Sequence, residues 1–219
     1  GKSATKLLAE LTQNGFEGDD ILGTVANLAA KEAEVTIATA DQHLLQLVTD
    51  KIHVYRPGRP PFIKSVIFDE AEFVEHYGFR PMQMIDYKAL KGDPSDNIPG
   101  VKGIGDKTAK TLLKEYGSIE EIYENLEKIS PVGVRNKLEA EKDEAFLSKQ
   151  LATIITDIPM KFNLDDCVVH DFDVEQVRAL FMELEFFSLM KKLDKLAEIK
   201  MVKDEIAKKE KAGKQTKLF

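Results

Sequence analysis

The sequence predicts an α/β layer on a parallel sheet, followed by an all-α region. Three observations predict it. Helix-like and strand-like apolar spacing alternate as far as Tyr55. Strand signals nearly vanish after Asp69, and a glycine-rich turn beginning at Gly100 joins two helical stretches.

Each element has its own local reason. Residues 3–12 carry a weak helical pattern, and Asn14-Gly15 marks a turn. Asp19-Asp20 opens a helix through Ile21, Leu22, Val25, Leu28 and Ala29, with apolar residues on one face. Glu34 to Ala40 reads as a buried strand, Gln42 to Val48 as a short helix, and Ile52 to Tyr55 as a second strand. Arg56-Pro57-Gly58-Arg59-Pro60-Pro61 is a proline-rich loop, and Lys64 to Phe68 a last strand. Helices are expected over 70–77, 81–90, 106–116, 119–126, 133–155 and 173–196, with Gly117 and Pro159 at helix stops. The shift in composition divides the chain into residues 1–88, residues 89–196 and a lysine-rich tail, 197–219, expected as a frayed helix and loose end. The chain opens on Gly1 rather than Met, so upstream residues are expected.

The 219 residues are 43% hydrophobic and 32% charged, which describes a globular chain with a wet surface. A single cysteine, Cys167, excludes an intramolecular disulfide, fits a reducing compartment, and reads as a buried small apolar residue. No apolar run approaches the ~20 residues that span a bilayer. Net charge is −7. That value describes either an acidic protein without a polyanionic partner or one whose acids and lysines are segregated, because binding follows local fields.

The stretch from Leu90 to Ala109 carries the most chemistry. Asp93 and Asp96 stand beside Gly100, Gly103 and Gly105, and Lys102, Lys107 and Thr108 follow closely. Closely spaced carboxylates hold hard cations through oxygen. A glycine turn opening a helix presents amides to a phosphate. The competing reading is a plain Asp-Pro-Ser-Asn loop and a structural helix corner. The segment Glu17-Gly18-Asp19-Asp20 places three acids in four residues, suited to a divalent cation or to helix capping. Asp41 follows a strand end, where ligands gather in open α/β sheets, and capping again competes. His43, His53, His76 and His170 show no zinc spacing. The Phe181 to Phe187 cluster reads as core.

In this order, the segments resemble the 5′-nuclease domain of bacterial DNA polymerase I and its flap-endonuclease relatives. The similarity rests on Glu17-Gly18-Asp19-Asp20, on Ala40-Asp41-Gln42-His43-Leu44-Leu45-Gln46-Leu47, and on the run from Gly92 to Ala109. Leu147-Ser148-Lys149, Leu151 to Ile154 and Leu184 to Leu189 extend it, so it covers about residues 15–193. It implies a resolvase-like (PIN-like) α/β nuclease core, then an all-α domain carrying a helix–hairpin–helix. It also implies structure-specific 5′→3′ exonuclease or flap-endonuclease chemistry in replication and repair. Two Mg2+ ions (or Mn2+) about 4 Å apart would assist hydrolysis. Family ligands carry over to Glu17, Asp19, Asp20, Asp41, Asp93 and Asp96, with Asp20, Asp41 and Asp93 as the catalytic set. Gly100, Lys102, Gly103, Gly105, Lys107 and Thr108 would grip duplex phosphates without reading sequence, and a K+ ion is implied at the hairpin carbonyls.

Three departures accompany the resemblance. The family's earliest strand and its acids would lie upstream of Gly1, with the threading arch absent or reduced to residues 1–12. His43 stands where a second strand-end Asp is expected; imidazole suits softer metals than magnesium, so His43 either weakens one metal site or simply sits on a helix face. Ala40 replaces a Gly. The expected partner is double-stranded DNA with a 5′ flap or nick, bound by a monomer in the bacterial cytoplasm at the nucleoid, with no membrane role. Gln215 to Phe219 resembles a peptide that docks on a sliding clamp. The alternative function is a non-catalytic duplex-DNA-binding module with a degenerate metal site.

Overall fold

The computed structural model describes residues 15–59, 61–168 and 172–196. The readings of residues 3–12, His170, the 197–219 tail and the Gln215–Phe219 peptide lie outside the described residues. The chain forms two compact units, residues 1–162 and 163–219.

In the first unit, helix α1 (Gly18–Ala29) precedes strand β1 (Val35–Ala38). The predicted short helix is a 3-10 turn, His43–Leu47, that buries Leu44, Leu45 and Leu47. It carries the chain to strand β2 (Ile52–Arg56), which pairs in parallel with β1, Val35 opposite Ile52. Strand β3 (Val66–Phe68) runs antiparallel to β2, with Val54 opposite Phe68. The expectation of a parallel sheet therefore holds for one pair only, and the described sheet is mixed. The cause is the connection. The proline-rich loop turns back without a covering helix, and a parallel return needs a crossover.

Helix α2 (Glu70–Tyr77) occupies the expected range. It is capped by the Asp69 carboxylate and closed by Gly78 at φ 81°. The expected 81–90 helix begins as a 3-10 turn, Pro81–Gln83, before helix α3 (Met84–Lys91). Residues 88 and 89, the expected division, both lie inside α3. Helix α4 (Asp106–Tyr116) and helix α5 (Ile119–Glu124) follow, the latter capped by Ser118. The expected 133–155 helix is broken into α6 (Val132–Ala140) and α7 (Lys142–Ala152) at Glu141. The break redirects α7 along α3, with Ala145, Ser148 and Ala152 buried on its inner face. Apolar periodicity alone does not show a change of direction.

The core joins sheet and helices without interruption. Leu44, Leu45, Ile52, Val54, Phe68, Phe73, Met84, Leu90, Leu113, Ile119, Ile122 and Leu138 are fully buried within it. Each contributes roughly 2 kcal/mol of transfer free energy. Polar ties then close the first unit. The Ile155 amide donates to Asp20 Oδ1 at 2.8 Å, and the Ile154 amide donates to Gln46 Oε1 at 3.0 Å. Gln46 Nε2 donates to the Ala152 carbonyl at 2.9 Å.

In the second unit, helix α8 (Val174–Glu183) is capped by Asp173, and residues 187–196 are helical again. The expected 173–196 helix is interrupted at Glu185, which has φ 57°. Met182, Leu184, Phe186 and Phe187 are exposed, so the phenylalanine cluster is not core. Cys167 is exposed too, in the 3-10 turn Leu164–Cys167. Among the described residues of this unit, a short turn and interrupted helices offer no opposing layer to bury them.

Candidate metal centre and nucleic-acid interface

Three local structures converge on one pocket. The first is the carboxyl end of β1. The Asp41 amide donates to Thr39 Oγ1 at 3.0 Å, and Asp41 Oδ1 accepts the His43 amide at 2.8 Å. This Asx turn holds the Asp41 carboxylate beside the imidazole two residues on. The second is the first turn of α1, which presents Asp19. The third is the loop after α3. There the Asp93 and Ile98 amides each donate to the other's carbonyl at 2.9 Å. Pro94–Asp96 forms a 3-10 turn capped by Asp93, and Asn97 sits at φ 56°. Gly92 and Gly100 make this loop possible. A Cβ on Gly92 would stand 2.7 Å from the Pro99 carbonyl oxygen, and one on Gly100 would collide with the Gly92 amide.

The result is an open cavity of about 440 Å³ whose lining includes Asp41, Lys88, Asp93, Ser95 and Asp96. Ligand atoms of Asp19, Asp41 and His43 lie within 4.8 Å of one another, as do those of His43, Asp93 and Asp96. Thus Asp19, Asp41, Asp93 and Asp96 come together as two groups with His43 common to both. Glu17 and Asp20 do not join either group. The Asp20 carboxylate is buried and accepts backbone amides on both oxygens, from Glu17 at 2.9 Å and Ile155 at 2.8 Å. Glu17 is exposed at the N-cap of α1.

Charges within the pocket disturb one another. Burial, and then the neighbouring Asp41 carboxylate, push Asp19 above the usual carboxylate range. Burial also acts to raise Asp93. The Lys88 ammonium and the Ser95 hydroxyl and amide outweigh it and hold Asp93 well below that range. Lys88 is buried, with Nζ 2.7 Å from Asp93 Oδ2 and 3.7 Å from Asp96 Oδ2.

Lys88 and His43 are the two site residues that sequence reasoning did not place in the pocket. Lys88 stands in the last turn of α3, one helical turn before Gly92, and that spacing was the available signal. His43 was read as a departure rather than as a donor. Its side chain is 12% exposed, and Nε2 is buried without a hydrogen-bond partner among the described residues.

The glycine turn is less uniform than its sequence. The Gly100 amide is buried and donates to Ser148 Oγ at 2.9 Å, so it is engaged inside the fold. Gly103 is exposed at φ 81°, and its carbonyl accepts from Lys137 Nζ at 3.0 Å. Gly105 caps α4 without any side-chain bond. The first intrahelical amide of α4 is that of Ala109, which donates to Gly105. The Asp106, Lys107 and Thr108 amides therefore project from the helix start, with Lys102 and Lys107 exposed nearby. Asp106 itself is held by Tyr87 Oη at 2.5 Å and Lys110 Nζ at 3.1 Å.

Carboxylate oxygens, one imidazole and excess negative charge form a donor set that fits divalent cations. An uncapped helix start flanked by lysines fits phosphate.

Known proteins resemble this chain in sequence and fold. Residues 5–78 match the family model of the 5′-3′ exonuclease N-terminal resolvase-like domain, and residues 79–175 that of the 5′-3′ exonuclease C-terminal SAM fold. The chain is 45% identical over 182 residues to DNA polymerase I of Caldicellulosiruptor bescii, covering 82% of this chain and 21% of that protein. It is 45% identical over 184 residues to the thermostable DNA polymerase I of Thermus aquaticus, covering 84% and 21%. It is 44% identical over 182 residues to DNA polymerase I of Bacillus subtilis, covering 81% and 20%. The chain therefore spans about one fifth of the length of these curated relatives. Among solved structures, the T5 5′-exonuclease with bound zinc superposes with TM-score 0.57 at 26% identity, over 65% of this chain and 51% of that one. The catalytic core of Rad2 in complex with DNA shares the fold, with TM-score 0.52 at 17% identity, over 75% and 56%. No helix among the described residues is long and apolar enough to cross a membrane.

Proposed function

Because the chain belongs to the 5′-3′ exonuclease family, we propose that it is a structure-specific 5′→3′ exonuclease and flap endonuclease acting on DNA phosphodiesters. The observation that carries this reading is the convergence of Asp19, Asp41, His43, Asp93 and Asp96 as two ligand groups that share His43, with Asp41, Asp93 and Asp96 lining one pocket. Those five residues would hold divalent cations, Mg2+ or Mn2+. Such cations supply charge neutralisation at the scissile phosphate and a more acidic attacking water. Asp41 and Asp93 act as ligands held by their turns. For Asp20, expected among the ligands, we propose a positioning role: it fixes the helix start that presents Asp19. Glu17 extends the acidic rim.

The duplex lies against the start of α4. Lys102, Lys107, Thr108 and the amides after Gly105 hold its phosphates. Gly100 shapes the loop from inside. At Gly103 the Lys137 ammonium supplies the positive charge, and a K+ ion would bind the remaining hairpin carbonyls. Phosphate contacts of this kind position a duplex without reading its sequence. The substrate is accordingly a duplex with a 5′ flap or nick, as in primer and flap removal during replication and repair.

One observation favours the alternative, a duplex-binding module without catalysis: Lys88 already neutralises Asp93 at 2.7 Å. The test is cleavage of a labelled 5′-flap duplex with Mg2+ and with Mn2+, by the chain and by Asp93→Asn. The nuclease reading predicts products from the first and at least a ~100-fold loss in the second. Duplex binding that survives chelator, with no product at any metal concentration, establishes the module instead.

A further inference from the structure

We propose that His43 is a metal ligand shared by the two carboxylate groups, and that it moves the centre's preference from magnesium towards manganese and zinc. The inference rests on the reading of this pocket as a divalent-metal centre.

His43 belongs to both groups. One ligand atom of its ring lies within 4.8 Å of those of Asp19 and Asp41, and likewise of those of Asp93 and Asp96. The ring is largely enclosed, yet neither nitrogen makes a hydrogen bond among the described residues. Nε2 is buried without a partner among the described residues, and Nδ1 stands 3.6 Å from Asp96 Oδ2, beyond hydrogen-bond range. A buried polar atom left unpaired is costly, and a coordinated cation relieves that cost.

The backbone that carries the ring is also held in place. The His43 amide donates to Asp41 Oδ1 at 2.8 Å, Gln46 Nε2 donates to the His43 carbonyl at 3.1 Å, and the adjacent Leu44 and Leu45 are buried. Ordering the ligand on binding therefore costs little.

The donor chemistry sets the preference. Imidazole nitrogen is a poor match for Mg2+, which takes oxygen and keeps its waters. Mn2+ and Zn2+ accept nitrogen beside carboxylate oxygen. A neutral imidazole also leaves the pocket one negative charge short of an all-carboxylate set, which weakens a purely ionic ligand such as Mg2+ more than one that forms a nitrogen bond.

The test uses the full chain, His43→Asp and His43→Asn. Pulsed electron paramagnetic resonance of bound Mn2+ reads nitrogen coordination directly, and calorimetry gives the affinities for Mn2+, Zn2+ and Mg2+. A directly bound nitrogen signal in the wild-type chain, absent from both variants, supports the proposal. So does a fall of about tenfold or more in the Mn2+-to-Mg2+ affinity ratio in His43→Asp. His43→Asn adds no charge and so guards against repulsion in the aspartate variant. A wild-type spectrum without nitrogen coupling, or an unchanged ratio, overturns the proposal. Flap cleavage assayed on the same samples separates the two readings. Cleavage without nitrogen coupling removes His43 as a ligand and leaves the nuclease standing. Nitrogen coupling without cleavage under any metal does the reverse.

Discussion

Lys88 Nζ lies 2.7 Å from Asp93 Oδ2, placing a buried ammonium against the acids that face the pocket. The lysine acts as a resident countercharge. Removing one partner of a buried pair leaves the other uncompensated, at a cost of about 3–5 kcal/mol for full burial. Asp93 is partly solvated, with its side chain 20% exposed, so the expected loss in Lys88→Met is about 2 kcal/mol. For a chain of this length that is roughly a 4–8 °C fall in Tm with chelator present. Mn2+ should recover most of it, because the acids then have another countercharge. Thermal melts of both proteins with chelator and with Mn2+ check this. Equal metal-induced shifts would show that Lys88 does not compete for the acids.

Gly100 and Gly105 should respond oppositely to alanine. Gly100 has φ 64°, and a Cβ there would collide with the Gly92 backbone. The left-handed conformation alone costs a side-chain-bearing residue about 1–2 kcal/mol, and the collision adds to it. Gly100→Ala should lose at least about 3 kcal/mol of stability and, by displacing the loop that carries Asp93 and Asp96, the metal affinity as well. A Cβ on Gly105 would meet nothing within 4 Å. Gly105→Ala should stay within about 1 kcal/mol of wild type, the ordinary cost of losing a glycine cap. Chemical denaturation of the two variants decides the comparison.

Lys149 makes a pH prediction that does not involve the metal centre. Its Nζ sits 2.8 Å from the buried Asp86 carboxylate and 2.7 Å from Glu120. Burial acts to lower Lys149, but the bonds to Asp86 and Glu120 prevail and raise it above its ordinary 10.5. Its contribution is therefore complete below pH 10.5 and lost as pH climbs through the raised value. Burial acts to raise Glu120, but Lys149 prevails and lowers it below 4.5, so its share is present above pH 4.5 and lost as pH falls. Burial dominates at Asp86 and raises it despite Lys149, so its contribution runs the other way and favours acid. Lys149→Met should cost about 3 kcal/mol between pH 6 and 9 by leaving Asp86 unpaired. The difference from wild type should shrink beyond both ends of that range. Denaturation midpoints measured against pH test it, and a flat difference across pH 3–11.5 would refute it.

Much of this architecture was legible because it follows local rules. Asp69 and Gly78 bound α2, and Ser118 and Gly117 mark the junction of α4 and α5. Asp93 and Asp96 declared themselves by their spacing before the glycine turn. What stayed hidden depends on distant chain. Gly100, Gly103 and Gly105 look alike in sequence, yet only the buried Ser148 hydroxyl, 48 residues away, shows that Gly100 faces inward. Asp20 reads as a ligand, and only the fold shows that the Ile155 amide, 135 positions away, donates to its carboxylate. Lys88 and His43 lie 45 positions apart, 88 minus 43, and their meeting at Asp96 is a tertiary event that no local window contains. The antiparallel direction of β3 is hidden for a similar reason: strand spacing predicts a strand and not its direction.

The bond from the Ile155 amide to Asp20 joins groups 135 positions apart. During synthesis, the helix that presents Asp19 gains its clasp only after the chain has been made past residue 155. A nascent chain halted earlier carries Asp19 on a helix start that still lacks this clasp, so that end of α1 is secured only near the end of the first unit's translation.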